Sequence, residues 1–315
     1  MKALGLLLLI AVLSGCASVK IESFATLEIA ENSNALTQSQ RAVNYHGLPL
    51  ESGQIIVSNS NTALNLIVTL TDDEYHPFAH AGILSVENNK PYVYHAIAKL
   101  RLLFNGSPTD LTKGVITRTP LAAFLKGKAV VEIYQPSSAS LGESMAEFAI
   151  RSHAERLPYD AVFDSVDRSR VYCSEFIVSA IESGGGAPVP LRPRSRHPSI
   201  DTIYQWLSIE ADGHYFVHDL IANNKRVALL SSDLTAKQIE LFILLREELH
   251  RRFMPDQKVG YIMSWTGFGV ALRPQVAIFI QRGLEQDFRV AFAGETLRDW
   301  VSALADDALG PVDKG

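Results

Sequence analysis

Residues 157–186 read LPYDAVFDSVDRSRVYCSEFIVSAIESGGG, and the interpretation of the whole chain turns on the second half of that stretch. Cys173, Phe176, Ile177, Ala180 and Ile181 recur on one helical face, and Gly184, Gly185 and Gly186 then stop the helix. Cys173 is thereby placed at a helix N-terminus. Unpaired backbone N–H groups and the positive end of the helix dipole favour a thiolate there, so the spacing predicts a thiol pKa lowered from about 8.5 towards neutrality. A sulfur in that position is a candidate nucleophile, whereas an arbitrary lone cysteine is a small buried hydrophobe.

Working outward to the N-terminus, Met1 to Cys16 reads as a lipoprotein signal peptide, with Lys2 as a basic start, Ala3 to Val12 as the apolar core and Leu13-Ser14-Gly15-Cys16 as the cleavage site. The apolar core is too short to anchor across a bilayer. Leu-Ser-Gly-Cys resembles the bacterial lipobox, which implies lipidation of Cys16 and a mature chain that begins there. Ala17 stands where an aspartate would hold many such proteins at the inner membrane, so the expected address is the cell envelope, on the outer membrane. Removing the leader leaves about 300 residues, enough for one large domain or a domain with an extension. It also leaves Cys173 without a partner cysteine, and in an oxidising envelope an unpaired cysteine calls for burial or a function. With 29 Lys plus Arg against 34 Asp plus Glu, the net charge of −5 and the lack of a basic run argue against nucleic acid as a partner. Neither C-x-x-C nor H-E-x-x-H occurs, so the expectation is an enzyme without a metal or other cofactor.

Residues 16–45 are polar and read as a tether. A domain is expected over 46–200, opening with a strand at Gln54–Ser58 and a short helix within Asn61–Leu70. Phe78 to Val86 alternates as a strand that places Phe78, His80, Gly82, Leu84 and Val86 on one side. Asn88-Asn89 is turn chemistry, so Tyr92 to Ala98 pairs back as a hairpin. Pairing Glu87 with Lys90 sets Gly82 opposite His95 and puts His80 and His95 diagonally on one face, roughly 7 to 8 Å apart between backbones and within side-chain reach. A slip of one residue would send His95 to the other face. Strands near Val115–Arg118 and Ala129–Tyr134, a short helix at Leu121–Leu125 and a helix over Leu141–Glu155 lead into the cysteine stretch. Pro188 to Pro198, with four prolines and three arginines, reads as a surface crossover or domain boundary. Beyond it, 201–315 is expected to be an α+β extension, with a helix from Leu234 to Phe253 stopped by Pro255 and two strands within Tyr261–Gln281.

A histidine in the context His80-Ala81-Gly82-Ile83, followed by Pro158-Tyr159-Asp160 and then Tyr172-Cys173-Ser174-Glu175-Phe176, resembles the NlpC-type branch of papain-like cysteine peptidases and amidases. More narrowly it resembles the circularly permuted YaeF/YiiX group, in which the histidine precedes the cysteine. The likeness runs from Ser52 to Gly186. It implies an α+β fold in which a permuted papain-like domain packs a small antiparallel sheet on the nucleophile helix. It also implies Cys173 as nucleophile, His80 as general base and a polar residue on the next strand to orient the imidazole. His95 stands at that third place, as a histidine does in the related lecithin:retinol acyltransferase group. Gln54-Ile55-Ile56 departs from the usual Gly-Asp-Ile-Ile. Tyr159, Asp160 and Tyr172 are candidates for shaping the substrate cleft, with helix-to-loop packing as the alternative.

These residue types suit acyl transfer: a thiolate attacks an acyl carbon, the imidazolium protonates the leaving group, and water releases the acyl-enzyme. The expected function is hydrolysis of an amide, with a cell-wall peptide as substrate because the anchor holds the protein near peptidoglycan. An acyl-lipid substrate, cleaved or transferred by the same residues, is the second reading; a binding lipoprotein without catalysis is the third. His76 is the one other histidine near the motif, in the loop before Pro77, and His153, His214, His218 and His250 read as solvated or core polar residues.

Overall fold

The computed structural model describes residues 25–29, 42–70, 72–98, 114–194, 201, 211–253, 259–266, 269–285 and 296–311. The leader with Cys16 and the helix stop at Pro255 lie outside them. In chain order the first half holds strands β1 (Ala25–Ile29), β2 (Ala42–Tyr45), β3 (Leu48–Glu51) and β4 (Ile55–Asn59), helix α1 (Ala63–Leu70), then β5 (His80–Glu87), β6 (Lys90–Ile97) and β7 (Val115–Pro120). Helix α2 (Leu121–Leu125), β8 (Val130–Gln135), α3 (Ala139–Ala154) and α4 (Cys173–Ser183) follow, with β9 (Arg192–Pro193), β10 (Gly213–His214) and β11 (Lys225–Ser231) after them.

The protein is a mixed α+β structure built on one antiparallel seven-stranded sheet of order β1-β11-β8-β4-β5-β6-β7. Its middle strand is β4, and the β5–β6 hairpin lies between β4 and the edge strand β7. Glu87 pairs with Lys90 across a two-residue turn in which Asn88 (φ 50°) and Asn89 (φ 59°) both take left-handed backbone, the type I′ geometry that asparagine tolerates and that matches strand twist. The alternation along the strands sorts the side chains onto two faces. Ile55, Val57, Ala81, Ile83, Tyr94 and Ala96 bury against Met145 and Ala149 of α3 and Phe176, Ile177 and Ala180 of α4. Ile56, Leu84, Val86 and Val93 bury on the opposite face, under Leu48 and Leu50 of β3 and Leu121 and Phe124 of α2. A one-residue slip would exchange these two sets, so the buried faces fix the register.

Helix α4 begins where the apolar periodicity of the cysteine stretch begins. Glu175 Oε2 accepts the Tyr172 N–H at 3.4 Å across its first turn, and Gly186 N–H closes on Ile181 O at 2.9 Å at the other end. Gly185 takes φ 72° there, which a side chain would strain.

Three expectations are corrected by this architecture. Residue 201 is not a domain boundary: β11 lies between β1 and β8 in the main sheet, and Tyr215, Val217, Leu220, Ile239 and Phe242 share the core of α4. The supposed tether contributes β1 to that sheet and β2 to a hairpin with β3. The two strands expected within Tyr261–Gln281 are there as a hairpin, Met263–Thr266 with Gly269–Leu272, but the remainder of that segment belongs to a helix at Pro274–Leu284. Proline at the first helical position needs no N–H, and Val276, Phe279 and Ile280 fall on one buried face. That helix, α1, Ala236–Phe253 and Leu297–Leu309 enclose a second core around Leu66, Leu245 and Phe279. No described helix is long and apolar enough to cross a membrane.

Candidate active site

Cys173 is the first residue of α4, and the ladder of the neighbouring hairpin explains what its sulfur meets. Leu84 N–H bonds Gln54 O on β4, so along β5 the even-numbered amides point to β4 and the odd-numbered ones towards β6. The β5–β6 ladder ends at the pair Ile83 and Tyr94. The Ala81 N–H, turned to the β6 side beyond that last pair, instead donates to Cys173 Sγ, with Ser174 N–H and Cys173's own N–H as further donors. The thiol is thus seated at the opening of the β5–β6 hairpin, against the backbone of Ala81, which follows His80 in the chain.

The electrostatics of the thiol differ from the expectation drawn from the helix end alone. Packing around the sulfur pushes the Cys173 thiol up from its ordinary value, while the amide donors pull the other way without prevailing. Helix-end amides stabilise a thiolate only by the difference between their interaction and the solvation lost on burial, and here burial is the larger. Burial also lifts the Glu175 carboxyl to about 8, so it is neutral at pH 7 and adds no negative charge to the helix start.

The histidine pair is in direct contact. His80 Nε2 and His95 Nδ1 are 2.8 Å apart, and His95 Nε2 lies 3.0 Å from Thr119 Oγ1. Thr119 is opposite Val93 on β7, so alternation puts it on the same sheet face as His95. The space for the rings comes from Gly82: a Cβ there would stand 2.7 Å from Val93 Cγ1, 2.9 Å from Tyr94 O and 3.2 Å from His95 Cβ. Phe124 from α2 closes the pocket, its ring stacked on His80 at 6.1 Å and edge-on to His95 at 5.1 Å between centroids. Burial holds His80 well below the usual histidine range, and its neighbours His95 and Lys128 push the same way. His95 falls to about 4, through burial first and Lys128 second. At neutral pH both rings are neutral. Thr119, Phe124 and Lys128 carry no motif and were not among the expected site residues; their placement comes from strand register and from the short helix after β7.

Of the three residues expected to shape the cleft, Tyr159 and Tyr172 stand beside the thiol. Burial raises the Tyr159 phenol, and Cys173 is the next cause, which sets the two groups side by side. Asp160 is fully buried and occupied: Oδ1 accepts from Val162 N at 3.0 Å and Oδ2 from Asp164 N at 2.6 Å. It organises the loop before α4 and cannot meet a substrate. Tyr172, 1% exposed, accepts the Tyr215 N–H at 2.8 Å and bonds Ser165 Oγ at 2.8 Å, a brace between the loop and the segment after β10. Gln54 is likewise internal, its Nε2 donating to Gln135 Oε1 at 2.9 Å.

The fold and the site define a mixed α+β protein with an antiparallel sheet, a cysteine-led helix packed on it and a hydrogen-bonded histidine pair at the opening of the β5–β6 hairpin. No family model matches the chain. None of the curated proteins matches it. Among solved structures it is similar to that of the metalloprotein YiiX from Escherichia coli O157:H7 (DUF1105), at 17% identity and a TM-score of 0.44, over 58% of this chain and 97% of that one.

Proposed function

We propose that the protein is a cysteine hydrolase that cleaves an amide through an acyl-enzyme, with Cys173 as nucleophile, His80 as base and His95 as its orienting partner. What supports this reading is that Cys173 Sγ lies against the backbone amide of Ala81, the residue after His80, and that His80, His95 and Thr119 are in hydrogen-bond contact in series. If His95 Nε2–H donates to Thr119 Oγ1, His95 Nδ1 is the acceptor for His80 Nε2–H. His80 then keeps the Nδ1 lone pair for the thiol proton.

The raised thiol and lowered imidazole favour a neutral resting pair, so the thiol proton moves to His80 Nδ1 as sulfur attacks the carbonyl carbon. The oxyanion forms beside the backbone amides at the α4 N-terminus. Collapse breaks the C–N bond, and the amine leaves with the proton from His80. Water then attacks the thioester while His80 takes its proton; the acid departs and the thiol is restored. The substrate class we favour is a cell-wall peptide, and the reason is the leader: a lipidated Cys16 would hold the enzyme in the cell envelope, at the periplasmic face of the outer membrane. Incubating the purified protein with muropeptides and, separately, with N-acyl lipids in mixed micelles tests this. New primary amines from the peptides and none after Cys173→Ser support it; fatty-acid release would move the substrate to lipid, and products from neither would favour a binding protein.

A further inference from the structure

Among the described residues outside the thiol site, one cluster brings together three ligand-type side chains, two of whose facing atoms make no hydrogen bond. Asp72 and His76 lie in the loop that leads from α1 into β5, and His218 lies in the single turn of 3-10 helix (His218–Leu220) after β10. Asp72 Oδ2 is 3.6 Å from His76 Nε2 and 3.9 Å from His218 Nδ1, and one ligand atom from each of the three residues falls within 4.8 Å of the others. Asp72 Oδ2 and His76 Nε2 are both buried and make no hydrogen bond. The two imidazoles stack, with centroids 3.2 Å apart and planes 16° off parallel. We propose that Asp72 Oδ2, His76 Nε2 and His218 Nδ1 bind a divalent cation, of the kind that prefers nitrogen-rich ligand sets, zinc foremost.

The geometry suits such an ion. Bonds of ~2.0–2.2 Å to two imidazoles and a carboxylate in a tetrahedron set ligand atoms about 3.3 Å apart, near the observed distances, and because each imidazole binds in its own ring plane the cation would rotate the two stacked rings out of parallel. Three protein ligands leave a fourth position for water. Support around the ligands is in place. His218 Nε2 is 3.5 Å from Asp219 Oδ1, and that carboxylate is gripped by Arg192 through two bonds of 2.7 Å. His218 Nε2 makes no hydrogen bond as it stands, and a small shift towards Asp219 would let that carboxylate set the tautomer of a ligating imidazole. His250 Nε2 contacts Asp72 O at 2.9 Å and holds that backbone.

The cation would join two segments that carry the thiol site. The loop with Asp72 and His76 runs directly into His80. The turn with His218 follows Tyr215, whose carbonyl accepts from Ser174 Oγ at 2.5 Å and whose N–H donates to Tyr172, both at the start of α4. An expectation of no metal drawn from contiguous motifs could not see this set, because Asp72 and His76 are one turn apart while His218 comes from the far side of α4 in the sequence.

The test is metal uptake. Protein stripped with a chelator should take up one equivalent of Zn²⁺ in calorimetry, and Co²⁺ should give the visible bands of four- or five-coordinate nitrogen and oxygen ligation without a thiolate charge-transfer band. Uptake should persist in Cys173→Ser, weaken at least tenfold in Asp72→Asn and vanish in His76→Ala/His218→Ala. X-ray absorption on the zinc-loaded native protein should fit two imidazoles plus oxygen, a readout that needs no variant to fold. Absence of saturable uptake, a sulfur in the first shell, or full uptake by a folded double variant would overturn the assignment. None of these readouts depends on hydrolysis, so the proposal stands or falls separately from the acyl-enzyme mechanism.

Discussion

Gly82→Ala is the substitution that most sharply tests how the hairpin makes room for the histidine pair. The added methyl would lie 2.7 Å from Val93 Cγ1, 2.9 Å from Tyr94 O and 3.2 Å from His95 Cβ. Comfortable contacts to carbon lie near ~3.5–4.0 Å, so the deficit is roughly half an ångström or more. Tyr94 O is backbone and the Val93 side chain is β-branched, so neither yields by a simple rotation. The strain must be relieved by moving β6 away from β5 at His95, just beyond the last pair of the ladder, Ile83 with Tyr94. Overpacking of this kind costs about 1–3 kcal/mol. The same displacement lengthens the 2.8 Å contact between His80 and His95. If that contact orients the base, kcat/KM should fall by about 10- to 100-fold, the range for an outer-shell partner. Urea denaturation measures the first effect and amide hydrolysis the second. A thermodynamic cycle with His95→Ala separates them: the double variant should be as slow as His95→Ala alone, because both changes act through one contact. A stable, fully active Gly82→Ala protein, or losses that simply add, would refute the reasoning.

Three further outcomes are expected. His95→Ala should lower kcat by about 10- to 100-fold with little change in KM, and His95→Glu should recover part of that, since either side chain can accept from His80 Nε2–H. Tyr172→Phe should destabilise the protein by about 1–3 kcal/mol, because the buried Tyr215 N–H loses its acceptor; an unchanged urea midpoint would contradict the brace. Stability should also fall as the pH drops from 6.5 to about 4. His95 titrates at about 4 when folded and near 6.5 when unfolded, so between those values the unfolded chain binds the extra proton and gains on acidification. His214, also lowered to about 4 by burial, adds to the same window. Urea midpoints at pH 7, 6 and 5 should decline and should decline less in His95→Ala; a flat series would argue that these rings are not buried neutral.

What the sequence made legible was local. Asn88-Asn89 specifies a type I′ turn, and the alternation on both sides admits one register, so the diagonal placement of His80 and His95 could be read without coordinates. The start and stop of α4 follow from periodicity and glycine in the same way. What stayed hidden was non-local. Nothing in Lys225–Ser231 names β8 and β1 as its neighbours, since antiparallel partners far apart in the chain share no turn that would mark them. Asp160 and Tyr172 sit in a motif that suggested a cleft, yet their side-chain partners, the Val162, Asp164 and Tyr215 amides, exist only once the loop is folded. The thiol illustrates the same limit in energy: the helix end is visible in sequence, whereas the packing that outweighs it is not.

The central claim is that Cys173 accepts an acyl group with His80 as its base, and intact-mass spectrometry of the protein quenched during reaction with an activated acyl ester tests it most directly. The account predicts a single acyl adduct mapped to Cys173, absent in Cys173→Ser and formed far more slowly in His80→Ala. It also predicts that adduct formation is nearly independent of pH through neutrality and falls only where His80 becomes protonated at lower pH, because the neutral thiol hands its proton to the neutral imidazole within the site. An unmodified Cys173, or acylation that proceeds undiminished in His80→Ala, would contradict it.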